Sequence, residues 1–229
     1  MAQQESIIKL KGKIWDLTFY KTKTGYQARQ ATGVSADRIA NDPKFQRTRE
    51  NNAEFGRGGV AAKKLRDVLR PMILLTYDTK MPNRLFSRIM RVLRADAVND
   101  RGERKVLTEN LGLLRQFGFN VSAQLSNTLF VELEPSIERT NGSVTLDIPT
   151  LVPALTIAAP QGTTHYQFNL DAAVVDFDNE TASVLAMAES DTNSLKAASF
   201  TGESLNVSLP AASTLPILVD DYSGKPVIS

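Results

Sequence analysis

One histidine, no cysteine and a scatter of carboxylates are the groups in this 229-residue chain from which a catalytic or metal site could be made. His165 stands in Thr163-Thr164-His165-Tyr166-Gln167. A single imidazole makes no multi-histidine metal site, and no spacing supports a serine triad around it. It reads as a structural or exposed side chain at a strand start. Asp176-Phe177-Asp178-Asn179-Glu180 offers the oxygens that calcium prefers, but lacks the twelve-residue loop with central Gly and terminal Glu of an EF-hand. A hairpin turn accounts for Asp178-Asn179. Asp220 and Asp221 are adjacent, and adjacent strand residues point to opposite faces. The chain is therefore read as no enzyme, with no catalytic residue, cofactor or metal ion.

Two further groupings carry chemistry of another kind. Phe55-Gly56-Arg57-Gly58-Gly59-Val60 fits neither phosphate-binding glycine pattern. Glycines within a helix cost roughly 1 kcal/mol each relative to Ala, so Gly56, Gly58 and Gly59 are read as sites of close backbone packing, or as a break in the helix. Arg84, Arg88 and Arg91 recur at i, i+4 and i+7, with Arg94 following, and no Asp or Glu lies between Met81 and Ala95. That spacing makes one basic stripe, read as facing a partner, with a solvated helix face as the alternative.

The elements that must position these residues follow from periodicity and breakers. Residues 6–31 are predicted to form a β-hairpin turning at Lys21–Gly25, with Trp15, the single Trp, as a packing anchor. Ile7, Ile8 and Leu10, interleaved with Lys9 and Lys11, read as a strand able to join its own sheet or a neighbour's. A long helix is predicted from Phe45 to Arg70, stopped by Pro71. A second runs from about Pro82 to Ala97, with Leu85, Ile89, Val92 and Leu93 as its apolar face. A short helix follows over Leu107–Arg115. Beyond Phe119, strand-like runs recur: 119–125, 128–133, 143–148, 155–158, 164–170, 173–177, 181–188, 204–209 and 215–219. Their spacing favours an antiparallel sandwich. The fold class is α+β: an N-terminal β-hairpin plus helices, then a C-terminal antiparallel β-sandwich-like domain.

The net charge of +2 conceals a division. Residues 1–116 hold 24 Lys or Arg against 12 Asp or Glu, net +12; residues 117–229 hold 3 against 13, net −10. The expected domains are a basic hairpin-and-helix module, 1–116, and an acidic β-sandwich-like domain, 117–229. No apolar run approaches the roughly 18 residues that span a bilayer. The first residues lack a signal peptide's apolar stretch, being broken by Lys9, Lys11 and Lys13. The expected location is the cytoplasm, away from membrane.

The stretch from Leu17 through Thr22, Gly25 to Arg29, Arg47-Thr48-Arg49-Glu50-Asn51, Glu54-Phe55-Gly56 and Lys64-Leu65-Arg66 resembles a family of uncharacterised bacterial proteins. The resemblance covers about the first 70 residues. It implies that hairpin and helix form one module ahead of a variable β-rich part, and it transfers no catalytic residue.

These features make self-assembly the expected function. A basic and an acidic half are complementary between neighbours, and head-to-tail contacts generate rings or filaments. The expected partner is a further copy of the chain, in a filament, tube or shell, through Ile7, Ile8, Leu10, the three glycines and the four arginines. Nucleic-acid binding by the basic helices is the second reading, weakened by the acidic half and by the absence of a helix-turn-helix, zinc-finger or RRM pattern. A ligand-binding β-sandwich on a helical adaptor is the third.

Overall fold

The first fifty residues spend their chain on a sheet, a short helix and the start of a long helix; the computed structural model describes residues 2–4, 8–30, 33–76, 78–115, 117–133, 135–178, 184–211 and 217–220. The chain divides into two compact units, Met1–Asn51 and Asn52–Ser229. The charge boundary at 116/117 falls inside the second.

In the first unit, β1 (Ala2–Gln3), β2 (Gly12–Ile14), β3 (Leu17–Thr22) and β4 (Gly25–Gln30) form an antiparallel sheet in the order β1-β4-β3-β2. The predicted hairpin is thus β3–β4, extended by a second tight turn at Trp15-Asp16 that the sequence reading did not foresee. Helix α1 (Ala36–Asn41) starts on Ser35, whose hydroxyl accepts the Arg38 amide at 3.3 Å. Asp42 caps the following single turn, accepting the Lys44 amide at 2.9 Å. Arg49 donates to the carbonyls of Ile39 and Asp42 at 2.8 and 3.0 Å, fastening the first turns of α2 (Gln46–Val68) to the end of α1.

In the second unit, Glu54, Gly58, Ala61, Ala62 and Leu65 line the buried face of α2 at helical spacing. Pro71 does not end the helical path. It removes one amide after Val68, and the chain restarts as α3 (Arg70–Thr76) with the proline in its first turn, where no amide is needed. Helix α4 (Met81–Arg94) buries Met81, Leu85, Ile89, Met90, Val92 and Leu93. The predicted helix after Leu107 is a 3-10 segment, Thr108–Leu114.

The β-rich part contains α5 (Leu125–Thr128), β5 (Pro135–Glu138), β6 (Ser143–Ile148), α6 (Pro153–Thr156), β7 (His165–Tyr166), β8 (Asn169–Val174), β9 (Val184–Glu189), β10 (Asn193–Ser194), β11 (Glu203–Ser208) and β12 (Ile217–Asp220). All pairings are antiparallel, in the orders β11-β6-β5, β12-β8-β9 and β10-β7. The predicted strands at 119–125, 128–133 and 155–158 are not strands: the first is loop leading into α5, the second the end of α5, one bridge residue and loop, the third the end of α6 and a bridge residue. Strand β5 was missed because it opens on Pro135, which has no amide to donate and is tolerated at the first residue of an edge strand.

The two three-stranded sheets share one core. Val144, Leu146 and Ile148 of β6 and Leu205 and Val207 of β11 pack with Leu170, Ala172 and Val174 of β8, in the manner of a small sandwich. The other face of β8 enters a second core. Ala173, and Val175 just beyond the strand, pack with Leu65, Met72, Leu85 and Ile89 of the helices. All six residues of β8 are buried. The fold is α+β, and one strand serves both layers.

Candidate interaction surfaces

The register of the N-terminal sheet sorts its side chains, because directly paired residues share a face. Ile14 pairs with Leu17, Leu17 with Gln30, Phe19 with Ala28 and Lys21 with Tyr26, giving a face that is apolar apart from Gln30 and Lys21. Lys13 pairs with Thr18, Thr18 with Arg29 and Tyr20 with Gln27, giving a polar one. Lys21 lies over the Tyr26 ring at 5.6 Å and Arg29 over the Tyr20 ring at 5.7 Å. A sheet with one apolar face is stable only when that face is covered. Yet among the described residues of Met1–Asn51 none is buried, and Ile14 and Leu17 are 50% and 44% exposed. Over residues 8–30 the surface carries Lys9, Lys11, Lys13, Lys21, Lys23 and Arg29 against the single acid Asp16.

Trp15 is not a packing anchor within this unit. It is 91% exposed at the tip between β2 and β3, with φ at 50°. A two-residue hairpin turn needs positive φ at its first central position, which glycine adopts freely and a bulky side chain does not. Holding a non-glycine residue there costs on the order of 1–3 kcal/mol. Ile8 and Leu10 are exposed too, but residues 8–11 form no strand. They fold back on Gln4, whose side-chain oxygen accepts the Leu10 amide at 3.1 Å and whose carbonyl accepts the Lys9 ammonium at 2.9 Å. Ile7 lies outside the described residues.

The three glycines separate. A Cβ on Gly58 would overlap the Met90 side chain and touch Phe86, so this residue lets α2 and α4 approach. Gly56 and Gly59 face open space, between the exposed side chains of Phe55 and Val60. The arginine stripe separates as well. Arg84 donates to the carbonyls of Gly118 and Phe119 at 2.7 and 3.1 Å, pairs with Asp78 at 2.5 Å and lies over the Phe117 ring at 5.1 Å. The Lys80 amide, with Arg84 and the Val121 amide, holds the Asp78 carboxyl below the usual carboxylate range. Arg88 reaches the Leu113 carbonyl at 3.3 Å. These two arginines fasten the chain after α4 to the helix and do not form a free basic face; Arg91 and Arg94 remain exposed.

Two carboxylates that sequence reasoning passed over organise the loop after α4. Asp96 accepts the amides of Val98, Asn99 and Lys105 at 2.8, 3.0 and 2.9 Å, and these bonds, led by that of Lys105, hold it far below its ordinary range. Glu54, buried on α2, accepts the Gly102 amide at 2.9 Å. The Asp-x-x-Asn spacing of 96–99 is the signal that could have marked the first. A third acid, Asp171, is 2% exposed on β8; burial, and then the charge of Glu189, push its carboxyl up to about 6. Its Oδ1 and that of the neighbouring Asn169 have no hydrogen-bond partner.

The residues singled out for chemistry stay apart. His165 shares a 2.9 Å hydrogen bond with the Thr164 hydroxyl. Asp176 accepts the Asp178 amide at 2.9 Å, as a turn residue does, and Asn179 and Glu180 lie outside the described residues. Among the described residues, no three His, Asp or Glu side chains come together to hold a metal ion. Among the described residues, no helix is long and apolar enough to cross a membrane.

Comparison with models of protein families, with curated proteins and with solved structures gives no match.

The acidic part exposes two large apolar side chains on neighbouring segments. Leu129 and Ile157 form an antiparallel bridge, and the Phe130 amide donates to the Thr156 carbonyl at 2.8 Å. Phe130 and Leu155, on these two segments, are 62% and 77% exposed. Glu132 is exposed two residues beyond Phe130. The outer face of β5-β6-β11 differs: Ser136, Thr145, Asp147, Ser204 and Asn206 cover it with short polar side chains, linked from Thr145 to Asn206 at 2.6 Å.

Proposed function

We propose that this chain is a non-enzymatic structural subunit that self-assembles into a filament, tube or shell. The observation that carries the reading is the N-terminal sheet, which has an apolar face and no buried residue among those described. About half of Ile14 and of Leu17 stays in water, and covering them would contribute about 1 kcal/mol apiece. The cover is a further copy, because the sheet is basic and residues 117–229 supply net −10. The nucleic-acid alternative is the weaker one, since Arg84 and Arg88 are occupied by backbone carbonyls of the same unit.

Sedimentation of the purified chain at low and high salt tests this, with negative-stain microscopy to give shape. The expected result is particles much larger than the 25.2 kDa chain that dissociate as salt rises, because exposed charges are screened within about 8 Å at physiological ionic strength. A monomer at every salt concentration would sink the reading.

A further inference from the structure

We propose that Trp15 is the anchor by which one copy docks on the next, and that its receptor is the apolar patch of Phe130 and Leu155 in the acidic part of that second copy. The inference rests on the self-assembly reading and gives it a contact.

The turn supplies the first reason. Glycine would close β2–β3 without strain, yet the chain places its single Trp there, at φ 50° and 91% exposed. Neither the turn nor the burial of the ring within its own unit accounts for the choice. Strain of this kind persists where a function uses the strained residue. A large exposed aromatic at the tip of a hairpin is the form that binding anchors take.

Its surroundings specify the receptor. Ile14 and Leu17 pair directly behind Trp15, so the tip presents apolar side chains beside the single carboxylate of Asp16, and Lys11 and Lys13 flank it. The matching surface is apolar at its centre and acidic at its rim. Phe130 and Leu155, with Glu132 beside them, meet that description. The outer face of β5-β6-β11 has no apolar centre. Because tip and receptor are different surfaces, the contact is heterologous and propagates into a ring or an open filament.

Two variants of the full chain test it. Trp15→Gly should retain the fold, raise the thermal midpoint by about 2–12 °C as strain is released, and raise the concentration needed for assembly roughly 30-fold, the loss expected of a central Trp anchor. Phe130→Ser with Leu155→Ser should keep its circular dichroism and lose assembly. Each variant then retains one intact surface. Mixed at concentrations where each is monomeric, the two should form a 1:1 heterodimer and nothing larger. Wild-type protein that assembles while Trp15→Gly assembles equally well overturns this inference and leaves the self-assembly reading standing. Assembly lost in Trp15→Gly with no heterodimer in the mixture overturns the receptor. Wild-type monomer that binds phosphatidylserine vesicles through Trp15 would assign the tip to lipid and overturn both.

Discussion

Replacing Asp171 by Asn isolates the cost of one buried carboxyl group. In the folded chain this group titrates at about 6, against its ordinary value of 3.8, because burial and then Glu189 disfavour the charged form. The sign follows from which state holds the proton. Below pH 3.8 the carboxyl is protonated in both states and folding bears no penalty. Between 3.8 and about 6 the unfolded chain ionises while the folded one stays protonated, so stability falls as pH rises. Above 6 the penalty is complete, at about 3 kcal/mol for a difference of that size. Asn keeps the shape and cannot ionise. Urea unfolding of both proteins from pH 4 to 8 should therefore show nearly parallel stabilities at the acid end, with Asp171→Asn gaining about 3 kcal/mol by pH 7. Taking the difference between the two proteins cancels the other carboxylates. Asp96 titrates with the opposite sign: its stabilisation is present above pH 3.8 and is lost below, outside the window examined. A difference between the two proteins that stays constant from pH 4 to 8 would refute the argument.

Two further perturbations separate the glycines and the arginines. Gly56→Ala and Gly59→Ala fill open space and should each stabilise the helix by about 1 kcal/mol in thermal or urea unfolding, whereas Gly58→Leu should destabilise by about 1–3 kcal/mol against Met90. Equal effects at all three positions would contradict the packing described. Arg84→Glu should lower the thermal midpoint, since it loses the carbonyls of Gly118 and Phe119 and the Asp78 pair; Arg91→Glu and Arg94→Glu should leave it unchanged. An unfolding curve for Arg84→Glu that overlays the wild type would return that residue to the solvent-facing stripe.

The α+β class, the helical stripe of α4 and the strands β6 and β11 were legible because their side chains follow one period and pack one face. The limits lie where the packing partner is distant in sequence. The regular spacing of Arg84, Arg88 and Arg91 says that they share a side of α4, but not that carbonyls at 113, 118 and 119 wait there. Asp171 made one strand look like two, 164–170 and 173–177, because a carboxylate reads as a break in an apolar run. Trp15 read as core because its type favours burial; only a turn with positive φ placed it in water. The charge division at 116/117 marks surface composition, and the helical core crosses it to reach Ala173 and Val175.

That crossing has a consequence for how the chain is made. Synthesis delivers Leu65, Met72, Leu85 and Ile89 early, and the strand that covers them arrives about 80 residues after α4 ends. At the usual 5–20 residues per second, the helices wait roughly 4–16 s with that apolar stripe open. During this interval the nascent chain offers a surface to holdase chaperones, and slow codons between Arg94 and Val175 would lengthen the exposure. Neither the helical core nor the sandwich core is complete until β8 is in place, since its two faces belong one to each.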